Sequence, residues 1–164
     1  MQHVSSLGGP RVLLPTRDVD RWITELGNEP TLDAGLYRLA CSVNDYCGII
    51  RPWGAPIIVF GDLPSDIYWL PDQDGGLFIR WVGAESLEQL IAFAKAISKT
   101  NNWTEQIEWD AQSADYTLMD TCTFVGDTAP RIEINLPAGK YMIRSQYAES
   151  DNVTTIVQRL EYAR

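Results

Sequence analysis

Gly75-Gly76-Leu77-Phe78-Ile79-Arg80-Trp81-Val82, followed after Gly83-Ala84-Glu85 by Ser86-Leu87-Glu88-Gln89-Leu90-Ile91, is the stretch whose reading decides the fold. Leu77, Ile79 and Trp81 point one way along an extended chain, and Phe78, Arg80 and Val82 the other. That period of two belongs to a strand with one face more deeply buried. Asp72-Gln73-Asp74-Gly75 just upstream has the composition of a tight hairpin. Downstream, Ser86 with Gln89 reads as a capping box. Leu87, Leu90, Ile91 and Ala94 then recur at helical spacing, with Ile97 near the same stripe. The spacing predicts one long helix over 86–99, ending near Thr100-Asn101-Asn102. A hairpin running straight into a helix, without regular βαβ alternation, predicts an α+β fold with mostly antiparallel strands.

The same alternation continues on both sides. Ile132, Ile134 and Leu136 alternate with Arg131, Glu133 and Asn135, and Tyr141, Ile143 and Tyr147 with Met142, Arg144 and Gln146. Further strands are expected at Arg11–Leu14, Gly48–Arg51, Pro56–Phe60, Ile67–Leu70, Gln106–Asp110, Tyr116–Thr121 and Thr154–Glu161. Two short N-terminal helices are expected, one from the stripe Val19, Trp22, Ile23, Leu26 and one from Leu36, Leu39, Ala40, Val43, with a loop at 27–31 between them. The segments 61–86 and 126–150 also echo each other, and both end in Ile-Arg-x-x-x-Ala-Glu-Ser. A duplicated strand–hairpin–strand unit is one reading. Generic hairpin chemistry is the other. A true duplication would put Arg80 and Arg144 in equivalent places.

The chain has 164 residues, 45% of them hydrophobic, which fits a single domain with a sizeable core. Its mean hydropathy of −0.15 is ordinary for a globular protein. No apolar run approaches the roughly 20 residues of a membrane helix, and the first residues have no leader pattern, so a cytoplasmic protein without membrane contact is expected. Cys41, Cys47 and Cys122 lack metal-motif spacing and read as small buried hydrophobes in a reducing compartment.

The net charge of −9 is unevenly spread. Asp62, Asp66, Asp72 and Asp74 lie in 52–79, which has no Lys or Arg. Glu105, Glu108, Asp110, Asp115, Asp120 and Asp127 lie in 100–130, which again has none. Such a chain repels nucleic-acid phosphates and attracts a basic protein at long range.

Catalytic apparatus is not apparent. The one histidine, His3, sits beside a terminus and reads as a surface residue. No nucleophile elbow and no phosphate-binding glycine loop is present. Asp72-Gln73-Asp74-Gly75 lacks the distal acid of a calcium loop, since Gly83 and Ala84 stand where it would fall. No catalytic residue, metal site or cofactor is therefore expected. Asp62 and Asp127 follow glycine in turn-like settings and are better read as turn residues than as a glycosidase-like pair.

Gly8-Gly9-Pro10 followed by Arg11-Val12-Leu13-Leu14-Pro15 predicts a sharp turn into a short apolar strand. With Asp45-Tyr46-Cys47-Gly48-Ile49-Ile50, Val59-Phe60-Gly61-Asp62-Leu63-Pro64, Gly75 to Val82, and Leu136-Pro137-Ala138-Gly139-Lys140-Tyr141 in that order, the chain resembles the immunity protein 21 family of bacterial polymorphic-toxin systems. The resemblance runs from about Ser5 to Leu160. It implies a small α+β protein encoded beside a toxin gene, whose partner is the cognate toxin domain. It implies that binding blocks the toxin's active site or substrate approach. It supplies no catalytic residues. Gly8, Gly9 and Pro10 are its structural signature.

Charge and aromatics nominate Asp62, Asp66, Trp69, Asp72, Asp74, Glu105, Glu108 and Asp110 as the toxin-binding set, since acids steer encounter and buried aromatics hold a complex. Trp103 and Trp109 lie in the same acid-rich stretches. Two other readings stand beside this one: a general interaction module without a toxin, and a carboxylate-dependent hydrolase built on the clustered acids.

Overall fold

The computed structural model describes residues 2–5, 7–26, 35–61, 63, 65–123 and 126–163. Asp62 and the expected loop at 27–31 lie outside them. Eleven strands and three helices follow in order: β1 (His3–Val4), β2 (Arg11–Pro15), α1 (Val19–Leu26), α2 (Gly35–Cys41), β3 (Gly48–Ile50), β4 (Ile57–Phe60), β5 (Asp66–Asp72), β6 (Gly75–Ala84), α3 (Leu87–Ile97), β7 (Glu105–Ala111), β8 (Asp115–Asp120), β9 (Ile132–Asn135), β10 (Gly139–Ser150) and β11 (Val153–Tyr162).

The strands form two sheets, a six-stranded one ordered β1-β5-β6-β11-β10-β7 and a five-stranded one ordered β3-β4-β2-β8-β9. Among the described residues every strand pairing is antiparallel. The sheets pack face to face. Leu13, Ile58, Phe60, Tyr116, Leu118, Ile132 and Ile134 from one meet Ile67, Phe78, Trp109, Tyr141, Ile143 and Leu160 from the other.

Helices pack on the outer faces. Val19, Trp22, Ile23 and Leu26 of α1, with Leu36 and Ala40 of α2, cover Val12, Leu14, Ile57, Val59 and Met119 of the five-stranded sheet. Leu90 and Ala94 of α3 cover Ile79, Val153 and Val157 of the six-stranded sheet. This layering explains why β2 and β4 are apolar without alternation. Their residues are buried on both faces.

Several expectations need correction. The helix predicted at 86–99 is shorter, Leu87–Ile97, and at 11 residues it is the longest among the described residues. Ser86 Oγ accepts a hydrogen bond from the Gln89 amide at 3.3 Å, as an N-cap should. At the other end the Lys99 and Thr100 amides bond three residues back, to Ala96 and Ile97. The last turn thereby tightens out of α geometry at Ile97.

The duplication fails. β5 and β6 pair with each other, whereas β9 pairs with β8 in one sheet and β10 lies in the other. Ile79 faces outward under α3 and Arg80 inward, while Ile143 faces inward and Arg144 outward. Only Cys47 is fully buried, since Cys41 is exposed and Cys122 intermediate. His3 does not hang free. It pairs with Tyr68, stacks on its ring at 5.1 Å, and lies 3.8 Å from Asp66.

The glycine–proline signature has a packing cause. Gly8 adopts φ +110°, which favours glycine. A Cβ on Gly9 would come within 2.6 Å of Thr121 Oγ1 and 3.0 Å of the Tyr37 ring. The Pro10 carbonyl accepts from both the amide and the hydroxyl of Thr121, at 3.1 and 2.9 Å. The turn thus ties the entry of β2 to the exit of β8.

Candidate partner-binding face

The six-stranded sheet is only partly covered. Helix α3 packs over β6 and β11 toward the Ala84 and Val153 end. Past the end of α3 the outer face of the sheet continues open. Antiparallel register builds it row by row. One row runs Gln106, Arg144, Arg159, Leu77, Leu70 across β7, β10, β11, β6 and β5. The next runs Glu108, Met142, Glu161, Gly75, Asp72, and Asp110 stands opposite Lys140 beyond it. Ion pairs stitch the rows diagonally. Arg159 pairs with Asp72, and Arg144 with Glu161 at 2.5 Å, while Arg144 Nε also donates to Gln106 Oε1 at 3.2 Å. These are partly exposed pairs and contribute little to stability, about 0–1 kcal/mol each.

The hairpin that carries two of the acids is built tightly. The Asp74 amide donates to Asp72 Oδ1 at 3.0 Å, an Asx-turn. Gly76 follows at φ +155°, where a Cβ would lie 2.5 Å from Trp69 and 2.6 Å from the Leu70 carbonyl.

Of the residues nominated from sequence, Asp72, Asp74, Glu108 and Asp110 share this end of the six-stranded sheet. The others do not join them. Asp66 begins β5, two residues before Tyr68, near His3 and the buried Arg11. Glu105 turns inward, opposite the buried Ser145, and its Oε1 accepts from the Tyr46 amide at 3.0 Å. Trp69 also turns inward and packs on Phe78 at 4.4 Å, half-buried between the sheets. Trp109 is wholly internal and donates from Nε1 to the Pro56 carbonyl at 3.1 Å, so it is no interface anchor. Asp62 lies outside the described residues.

Sequence reasoning missed the cations that share this face. Lys95 and Lys99 sit one turn apart at the end of α3, and with Arg144, Arg159, Trp103 and Leu70 they line a cleft of about 570 Å³. A signal for two of them was present. Arg144 and Arg159 are equidistant from the Asp151-Asn152 turn, so an antiparallel hairpin must set them opposite each other. As a result the face is of mixed charge, and the acids of the two runs do not form an uninterrupted acidic patch.

Two more arginines are buried inside the sandwich. Arg80 donates to the carbonyls of Gly61 at 2.6 Å and of Leu63. Arg11 donates to the carbonyls of Ser65 and, at 3.3 Å, Gly9. Burial pushes the Arg11 guanidinium below its usual value, and Asp120 and Asp66 oppose that shift. These side chains hold the β4–β5 connection from both sides.

The Asp120 carboxyl is raised above its ordinary range, chiefly by burial. Both of its oxygens are engaged, by the Leu7 amide at 3.0 Å and the Cys122 amide at 2.8 Å. It is therefore placed to organise the 120–122 turn rather than to take a proton from a substrate. Asp127 is likewise occupied, accepting from the Ala129 amide at 2.9 Å.

No helix among the described residues is long and apolar enough to cross a membrane. No curated protein and no solved structure matches the chain. The sequence model of the immunity protein 21 family matches residues 2–154, nearly the whole chain, and the chain belongs to that family.

Proposed function

We propose that this protein binds a cognate toxin domain and neutralises it by occluding the toxin's active site or substrate approach, with no catalytic step of its own. The class follows from the family, whose members are immunity proteins of toxin systems. The observation that carries the choice of surface is the open end of the six-stranded sheet. It is a five-strand-wide face with rows of charge set by strand register and a cleft at its border. Sites built on strands hold their side chains in fixed registry, which suits recognition of one partner over others. Glu108 and Asp110 are exposed there and have no ion pair among the described residues, so they are available to basic groups of the toxin. The producing cell's cytoplasm is where such protection would be needed.

The test is direct. The purified chain is mixed with the toxin domain encoded beside its gene, complex formation is followed by size exclusion, and toxin activity is assayed with and without a molar excess of the chain. A stable complex with loss of toxin activity is expected. Separate elution together with undiminished toxin activity would refute the reading.

A further inference from the structure

The cleft at the end of α3 carries a charge opposite to that of the protein as a whole. Four cations converge on it, Lys95, Lys99, Arg144 and Arg159, against two acids, Asp72 and Glu161. The net charge of the chain is −9. The two acids are already engaged with the two arginines. Lys95 and Lys99 have no carboxylate partner among the described residues.

The fold alone does not call for this arrangement. Like charges directly opposite on paired strands destabilise a sheet, and Arg144 faces Arg159 across the β10–β11 pair. Lysines near a helix C-terminus are favourable for the helix. That accounts for Lys95 in the last turn, but not for the convergence of both lysines on a pair of arginines. The cleft also has an apolar side, formed by Leu70 and the half-buried Trp103.

We infer that this cleft receives an acidic loop of the protein partner, with partner carboxylates bonded by Lys95 and Lys99 and an apolar side chain resting on Trp103. The inference rests on the toxin-binding reading above and deepens it. A free polyanion is a poor occupant, because the overall negative charge repels it before it reaches the cleft. A folded protein of mixed charge can satisfy both signs at once. Its acids enter the cleft, and its cations meet Glu108 and Asp110 on the adjoining rows. The volume of about 570 Å³ exceeds the needs of one carboxylate and matches a short loop carrying several side chains.

The experiment compares three forms of the full chain for binding to the adjacent-gene toxin domain by surface plasmon resonance at low and high salt. They are the wild type, Lys95→Glu/Lys99→Glu, and Arg38→Glu/Arg51→Glu. The last pair makes the same charge change at exposed positions on the five-stranded-sheet side. Thermal melts establish that each form is folded. The cleft variant is expected to bind at least about tenfold more weakly at low salt, with the deficit shrinking as salt screens it. The control is expected to stay within about threefold, as a change in long-range steering alone would give. Equal effects in the two variants, or none in the cleft variant while the wild type binds, would overturn the cleft assignment and leave the toxin-binding reading intact. Failure of the wild type itself to bind would remove both.

Discussion

Replacing Arg80 with methionine tests how the sandwich is closed at its β4–β5 end. The guanidinium is almost fully buried, yet its hydrogen bonds among the described residues run to main-chain carbonyls, those of Gly61 and Leu63 and, at 3.5 Å, Tyr46. Methionine keeps the aliphatic stem against the core and removes only the head. Hydrogen bonds involving a charged group contribute about 1.5–3 kcal/mol each, so the two strong ones together give about 3–6 kcal/mol. Removing a desolvated cation returns part of that. The net loss should be about 2–4 kcal/mol. For a chain of this length each kcal/mol lowers Tm by roughly 2–4 °C, so a fall of about 5–15 °C is expected by calorimetry. Hydrogen exchange should quicken at 45–48 and around Gly61, where the accepting carbonyls lie, and stay slow in β10 and β11. A Tm within about 2 °C of wild type, or uniform loss of protection, would refute the idea that Arg80 clamps this loop.

Three further outcomes follow from the same packing. Ser86→Ala removes the N-cap of α3 and should cost about 1 kcal/mol, read as a Tm lower by roughly 2–4 °C with the sheet signal unchanged. Thiol labelling of the native protein should modify the exposed Cys41 first and Cys47 only on unfolding, because burial and the nearby Glu105 push the Cys47 thiol well up; fast native modification of Cys47 would contradict its placement. Burial, with Tyr162 and Tyr116 nearby, pushes the Tyr141 phenol from 10.0 up to about 12. The folded state holds the proton more tightly, so the stabilisation is full below pH 10 and is lost as pH rises toward 12, and Tyr141→Phe should flatten that decline in alkaline denaturation monitored by phenolate absorbance.

Strands with one buried face were the most legible, because alternation survives where that holds. β9 follows it, with Ile132 and Ile134 inward on either side of Glu133, whereas β6 is buried on both faces from Gly76 to Arg80, with Phe78 between the sheets and Ile79 under α3. Helix α1 was equally plain, since Val19, Trp22, Ile23 and Leu26 all reach the core. Strand ends were not. β10 runs to Ser150 and β11 starts at Val153, because backbone pairing continues around the Asp151-Asn152 turn after the side-chain pattern has faded. β1 is two residues long and has no pattern to read. The division into two sheets was also hidden. Alternation gives a strand its two faces but does not say which strand will lie beside it. So 126–150 looked like a copy of 61–86 although β9 and β10 belong to different sheets.

The candidate face shows the same limit in its electrostatics. Reading charge along the chain isolates runs of acids with no Lys or Arg among them. The potential at a surface is instead set by neighbours in space, within a Debye length of about 8 Å in physiological salt. Adjacent strands lie about 4.8 Å apart, so a cation from a strand distant in sequence counts as much as one from the same run. β10 brings Lys140 and Arg144 beside Glu108 and Asp110, and β11 brings Arg159 to Asp72. Asp72 therefore cannot act as a free attractive charge. Reversing it to lysine would release Arg159 and add two positive groups at the border of the cleft, altering both signs of the surface at once. Glu108 and Asp110 lack such a partner among the described residues, and their reversal isolates the acidic contribution. If this face binds a partner as proposed, it would discriminate by matching rows of alternating sign rather than by bulk attraction, and a uniformly basic partner would find Lys140 and Arg144 set against it.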